Sequence, residues 1–124
     1  MIGLGVDVVD LERFEGILAR RPSFVGRVFT SDERAYCEQA KAPTKRVERY
    51  AARFAAKEAV MKALGVGLGS FAFHDVEIGR ADSGDPTLTL HGKAAAIAAE
   101  RGAASWHVSL THSEVVAIAL VAVE

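Results

Sequence analysis

With 124 residues, half of them hydrophobic and a quarter charged, the chain has the size of one globular domain with a modest core, and we read residues 1–124 as a single unit. Its formal net charge of −1 argues against a general nucleic-acid binder; its longest apolar run, Val115 to Val123, falls well short of the roughly 20 residues that cross a bilayer. The single Cys37 rules out an internal disulfide or a cysteine-rich metal site, so a soluble cytoplasmic protein is expected, with neither membrane nor nucleic acid as partner.

The first element is a strand over "IGLGVDVV". Ile2, Leu4, Val6 and Val8 alternate onto one apolar face, while Gly3, Gly5, Asp7 and Val9 share the other. On that second face Asp7 stands beside two glycines, where another backbone or a ligand can come close. Asp10 is placed to cap a helix over roughly residues 11–21, with Leu11, Phe14 and Leu18 inward and Pro22 behind it. "TSDER" starts a second helix with Thr30 or Ser31 as its cap. Pro43-Thr44 precedes a long third helix, about 45–64, that Gly65 terminates.

Downstream, "VEI" (76–78) and "TLTL" (87–90) read as two strands joined through the turn-forming "ADSGDP". "GKAAAIAAERG" predicts a short helix closed by Gly102. "WHVSLTH" alternates again, and "VVAIALVA" is apolar throughout, as a strand buried on both faces would be. Without a strict βαβ rhythm, the pattern predicts an α+β fold: a largely antiparallel sheet packed against a long central helix.

Some patterns exclude chemistry. "GVGLG" (65–69) follows a helix where a dinucleotide fingerprint would open one, and "HGKA" lacks the rest of a P-loop. His107 and His112 are five apart, so they point to opposite faces of a strand, and no cysteine joins them as a zinc ligand.

The long helix is more informative. At about 100° per residue, Ala51, Ala55, Glu58 and Lys62 fall in one narrow sector, and Arg49, Arg53 and Lys57 form a separate basic row. Residues 1–64 carry twelve Lys or Arg against nine Asp or Glu, and residues 65–124 carry three against seven, so the first half suits an acidic partner. Glu58 and Lys62 alone read more simply as an i,i+4 surface pair. If the first strand packs on this helix, Asp7 and Glu58 together offer hard oxygen ligands for Mg²⁺, whose shell phosphate oxygens complete. Lys62, with Arg53 nearby, would then neutralise those phosphates.

"GVDVVDLERF", "RFAAKEAVMKALGVGLG" and "WHVSLTHSEVVAIA" resemble, in order and spacing, the three signature blocks of the small-subunit 4′-phosphopantetheinyl transferases, the holo-[acyl-carrier-protein] synthase family. The likeness runs over nearly the whole chain. It implies transfer of the 4′-phosphopantetheine arm from coenzyme A to a serine of apo acyl-carrier protein, with release of adenosine 3′,5′-bisphosphate, in fatty-acid biosynthesis. By position, Asp7 and Glu58 match the metal-binding and catalytic carboxylates, and Lys62 matches a lysine that contacts coenzyme A phosphate. Arg53, Gly65, Ser109, Thr111 and His112 are further candidates for the coenzyme A site, with His112 expected at a phosphate or nucleotide.

The resemblance also implies a homotrimer with active sites between subunits, and docking of an acidic carrier helix on Arg13, Ile17, Arg20 and Arg27. Glu58, directly or through a bound water, is the expected acceptor of the serine proton. Two positions depart from the pattern. Met61 stands where many relatives carry a small polar residue near the cofactor, and Ser23 where some carry another basic residue.

Overall fold

The computed structural model describes residues 2–124. Its axis is a 22-residue helix, α4 (Pro43–Leu64), and the sequence accounts for both of its ends. Pro43 sits in the first turn, where its missing N–H costs nothing. Gly65 adopts the left-handed conformation at φ 70°, and the N–H groups of Gly65 and Val66 close on the carbonyls of Lys62 and Met61. Between them Ala51, Ala52, Ala55, Ala56, Ala59 and Ala63 are all buried. Alanine favours the helix and leaves its backbone approachable.

A strand uses that approachability. β1 (Gly3–Asp10) pairs antiparallel with β5 (Val116–Val123), which pairs antiparallel with β4 (Trp106–His112), in the order β1-β5-β4. The Gly3/Gly5 face of β1 lies directly on α4: a Cβ added at Gly3 would stand 1.8 Å from the Ala63 carbonyl oxygen, and one at Gly5 1.9 Å from that of Ala59. Two residues of strand advance about 6.7 Å and four residues of helix about 6 Å. The two glycines therefore meet two successive turns, and no side chain fits at either crossing. Ala117, Ala119, Val121 and Val123 continue the same sheet face into the core.

The other face of this sheet is uncovered. Ile2, Leu4, Val6 and Val8 are 50–58% exposed. "VVAIALVA" is buried on one side only, since Leu120 on the outer face is 44% exposed; its apolar outer residues belong to a surface that a lone copy leaves open to solvent.

On the far side of α4, α1 (Leu11–Arg20) is capped by Asp10, whose carboxylate accepts from the Arg13 N–H at 2.9 Å. A helix absent from the sequence reading follows, α2 (Pro22–Val28): Pro22 opens a helix as its first residue as readily as it stops the one before. Phe14, Phe24 and Phe54 gather α1, α2 and α4 with ring centroids 5.4–5.8 Å apart. Thr30 caps α3 (Ser31–Glu38) in a reciprocal capping box with Glu33. A 3₁₀ turn (Phe73–Asp75) leads into the hairpin β2 (Val76–Arg80) and β3 (Pro86–Leu90), and α5 (Gly92–Glu100) returns the chain to β4. The architecture is the α+β arrangement expected, with its antiparallel strands divided between a three-stranded and a two-stranded sheet. No described helix is long and apolar enough to cross a membrane.

Cys37 is fully buried between α3 and α4, and burial pushes its thiol up to about 12. Its alkylation in the native protein at pH 8 should be at least about 10³-fold slower than in denaturant, timed by mass spectrometry. Rapid labelling of the folded protein would show that the packing of α3 on α4 opens readily.

Candidate active site

Two residues beyond the Gly5–Ala59 crossing, β1 brings Asp7 alongside α4. Asp7 and Glu58 line one cavity of about 430 Å³, together with Val9, Asp10, Arg13, Phe14, Ile17, Phe54 and Val116. Lys62 reaches across from α4, its ammonium donating to Asp7 Oδ1 at 3.1 Å and to the Val6 carbonyl at 3.0 Å. The i,i+4 pair with Glu58 that the sequence permits is not formed; Lys62 pairs with the strand instead. Burial first, then the nearby charge of Asp7, pushes the Glu58 carboxyl above its ordinary value, and Lys62 draws it partly back.

This cluster suits a divalent cation. Asp7 and Glu58 share a cavity, and the half-exposed Lys62 pairs with Asp7, leaving Glu58 without a salt-bridge partner among the described residues. Among the described residues no group of three or more His, Cys, Asp and Glu is arranged to hold a metal by itself. That donor set fits Mg²⁺, which commonly takes one or two carboxylates and fills its octahedron with waters and substrate phosphates.

Arg53 does not join this group. Nine residues at ~100° each put it about 180° around α4 from Lys62, and it is buried with its guanidinium 4.3 Å above the ring of Tyr36. Arg49 stacks on the same ring at 4.2 Å, and Arg80 from β2 lies 5.7 Å from it while donating to the Tyr36 hydroxyl at 2.7 Å. None of these three guanidinium groups pairs with a carboxylate among the described residues, and Arg53 Nε is buried without a partner. They line a cavity of about 550 Å³ with Lys45, Glu48, Gly79, Pro86, Thr111 and His112. Three guanidinium groups held on one aromatic ring, none in a salt bridge among the described residues, suit a multiply charged anion such as phosphate.

The candidate residues therefore divide between two sides of α4. Asp7, Glu58 and Lys62 assemble beside Arg13 and Ile17; Arg20 shares a shallower depression on α1 with Arg13. Arg53, Thr111 and His112 assemble in the arginine cavity. Arg27 lies on α2, outside both cavities. Gly65 is the αL cap of α4, beside the Arg101 guanidinium that bonds the Leu64 carbonyl, and lines neither cavity. Ser109 faces outward from the sheet, paired across from Leu120. Met61 is only 3% exposed, packed in the core. It lines neither cavity. The sequence reading missed Tyr36, Arg49 and Arg80 as site residues; the i,i+4 row of Arg49 and Arg53 was the available signal, and its partners on α3 and β2 left none.

The family model described as the 4′-phosphopantetheinyl transferase superfamily matches residues 3–119. The chain belongs to this superfamily. A holo-[acyl-carrier-protein] synthase from Frankia casuarinae is 48% identical over 124 residues, covering all of this chain and 98% of that one. Among solved structures, the holo-[acyl-carrier-protein] synthase from Neisseria meningitidis superposes with a TM-score of 0.87 at 32% identity, over 100% of this chain and 99% of that one. One from Bacillus anthracis, in complex with CoA (3′,5′-ADP), superposes at 0.81 and 33% identity, over 98% and 95%. The superfamily is thus one in which relatives of this length and fold are holo-[acyl-carrier-protein] synthases.

Proposed function

We propose that this chain is a holo-[acyl-carrier-protein] synthase, moving 4′-phosphopantetheine from coenzyme A to a serine hydroxyl of apo acyl-carrier protein. The observation that carries this reading is the pairing of Asp7 and Glu58 in one cavity with Lys62, on the opposite side of α4 from a built anion receptor. Adenosine 3′,5′-bisphosphate is the other product, and the carrier is that of fatty-acid biosynthesis, as the resemblance implies. The free, buried Cys37 suits the reducing cytoplasm.

Asp7 and Glu58 would hold Mg²⁺, which when bound offsets pyrophosphate charge and orients the β-phosphorus for in-line attack. The serine oxygen bonds to that phosphorus as the bridging P–O bond breaks, and the leaving bisphosphate keeps the electron pair. Glu58, directly or through a water, accepts the serine proton. Lys62, turned from Asp7 toward the pyrophosphate, steadies the departing anion. Arg49, Arg53 and Arg80 hold the adenosine phosphates, with Thr111 and His112 at the rim. Arg13, Ile17 and Arg20 receive an acidic carrier helix, which leads the serine into the adjoining cavity.

In one copy the two halves lie on opposite sides of α4. We propose a homotrimer whose active sites lie between subunits, the carboxylate side of one copy facing the arginine side of the next. The exposed row Ile2, Leu4, Val6, Val8 and Leu120 is the apolar surface such an assembly would cover. Incubation with coenzyme A, Mg²⁺ and apo acyl-carrier protein should add one phosphopantetheine to the carrier serine by intact-mass spectrometry. An unmodified carrier, with coenzyme A still bound by the protein, would leave a binding module instead of an enzyme.

A further inference from the structure

The chemistry above leaves unused a fully buried ion pair. Lys57 and Glu33 are 0% and 2% exposed, and the pair is saturated with hydrogen bonds. The Lys57 ammonium donates to Glu33 Oε1 at 2.8 Å and to the carbonyls of Phe73 and Val76. Glu33 also accepts from the Thr30 N–H at 2.9 Å and, through Oε2, from the Ile78 N–H at 2.8 Å. Taking two charges out of water costs more than a packed apolar pair would, so such a pair adds little to stability, and fixing geometry is its better-supported use.

Each element the carboxylate ties carries a member of the arginine receptor one step away. Glu33 and Tyr36 are three apart on α3, Lys57 and Arg53 four apart on α4, and Ile78 and Arg80 two apart on β2. The receptor's own ties between these elements are two hydrogen bonds to Tyr36, from Arg49 to its carbonyl and from Arg80 to its hydroxyl, both at 2.7 Å. Its guanidinium groups repel one another, and Arg53 makes only a 3.4 Å bond to the Arg49 carbonyl while its Nε has no partner.

We propose that Glu33, clamped by Lys57, is a positioning residue for the arginine cavity: it sets α3, α4 and β2 in the register that stacks Arg49 and Arg53 on Tyr36 and brings Arg80 to the Tyr36 hydroxyl. This rests on the reading of that cavity as the adenosine-phosphate site. Glu33 touches no substrate; it acts through the placement of the guanidinium groups.

The test is calorimetric binding of adenosine 3′,5′-bisphosphate to the full chain, beside steady-state kinetics. Glu33→Gln should weaken bisphosphate binding and raise the KM for coenzyme A together, about tenfold, as misplacement of binding groups does. Turnover at saturating coenzyme A and the KM for carrier protein should stay unchanged. Should Glu33→Gln fold poorly, Glu33→Gln with Lys57→Met removes both charges and keeps one amide oxygen to accept from Thr30 or Ile78, and its folded fraction should show the same tenfold shift. Unchanged bisphosphate affinity in either folded variant would overturn the positioning role, as would a loss of turnover with KM unmoved, the signature of a merely structural pair. Arg80→Met with His112→Ala separates the two readings. If that variant also binds the bisphosphate normally, the cavity is not the nucleotide site and both fall; if it alone binds weakly, only the role of Glu33 falls.

Discussion

Glu58→Gln and Asp7→Asn are each expected to lower phosphopantetheine transfer by about 10³-fold or more, because either removes a carboxylate that would hold the cation and, for Glu58, the acceptor of the serine proton. Bisphosphate binding in the arginine cavity should stay within about threefold of the parent, since the two sites share no lining residues. A pH comparison separates charge from shape. The Glu58 carboxyl is raised in the folded protein, so the stability its neutral form confers is complete below the unfolded value near 4.5 and is lost as pH rises through the raised folded one. Gln cannot ionise. In chelator, Glu58→Gln should therefore match the parent at low pH and melt higher at neutral pH. Near-normal turnover in Glu58→Gln would refute the assignment of that carboxylate.

Gly5→Ala, like Gly3→Ala, should be among the most damaging methyl additions at the described glycines. Its Cβ would fall 1.9 Å from a backbone oxygen of α4, and neither a helix backbone nor a strand paired along its whole length can yield locally. Overpacking of this kind costs about 3 kcal/mol or more, enough to consume much of the stability of a domain this size. Any protein that folds must carry β1 further from α4, which moves Asp7 away from Glu58 and Lys62. Loss of thermal stability in calorimetry should thus be accompanied by loss of transfer in the surviving folded fraction. A variant of parental stability and activity would show that the Gly5–Ala59 crossing is looser than described.

The same crossing shows how far the sequence could be read. Gly3 and Gly5 marked the face of β1 where a backbone could approach, and the structure places α4 there. Gly65 and the Thr30 cap marked helix ends through local chemistry that tertiary packing rarely overrides. The alternation of β1 and β5 gave their two faces but not their environments, because an apolar face left open on one copy has the same pattern as one turned into a core. Pro22 was ambiguous for a local reason, being compatible with either side of a helix boundary. Asp7 and Glu58 were recognisable as a pair only through the family resemblance, since spacing carries no information about which strand meets which helix. The separation of Arg53 from Lys62 was available from helical arithmetic alone. What was not available was Tyr36, whose ring is selected by the packing of α3 against α4 and has no signature in "ERAYCE".

In the proposed homotrimer, transfer needs the carboxylate side of one subunit and the arginine side of another. Mixing two variants tests this: Glu58→Gln, with an intact arginine cavity, and Arg80→Met with His112→Ala, with an intact carboxylate pair, combined under conditions that let subunits exchange and at coenzyme A too dilute for the weakened cavity to bind. The predicted result is that phosphopantetheine appears on the carrier by intact-mass spectrometry in the mixture, although neither protein modifies it alone. A mixture that exchanges subunits and stays as inactive as its components would show that the active site is not shared between subunits.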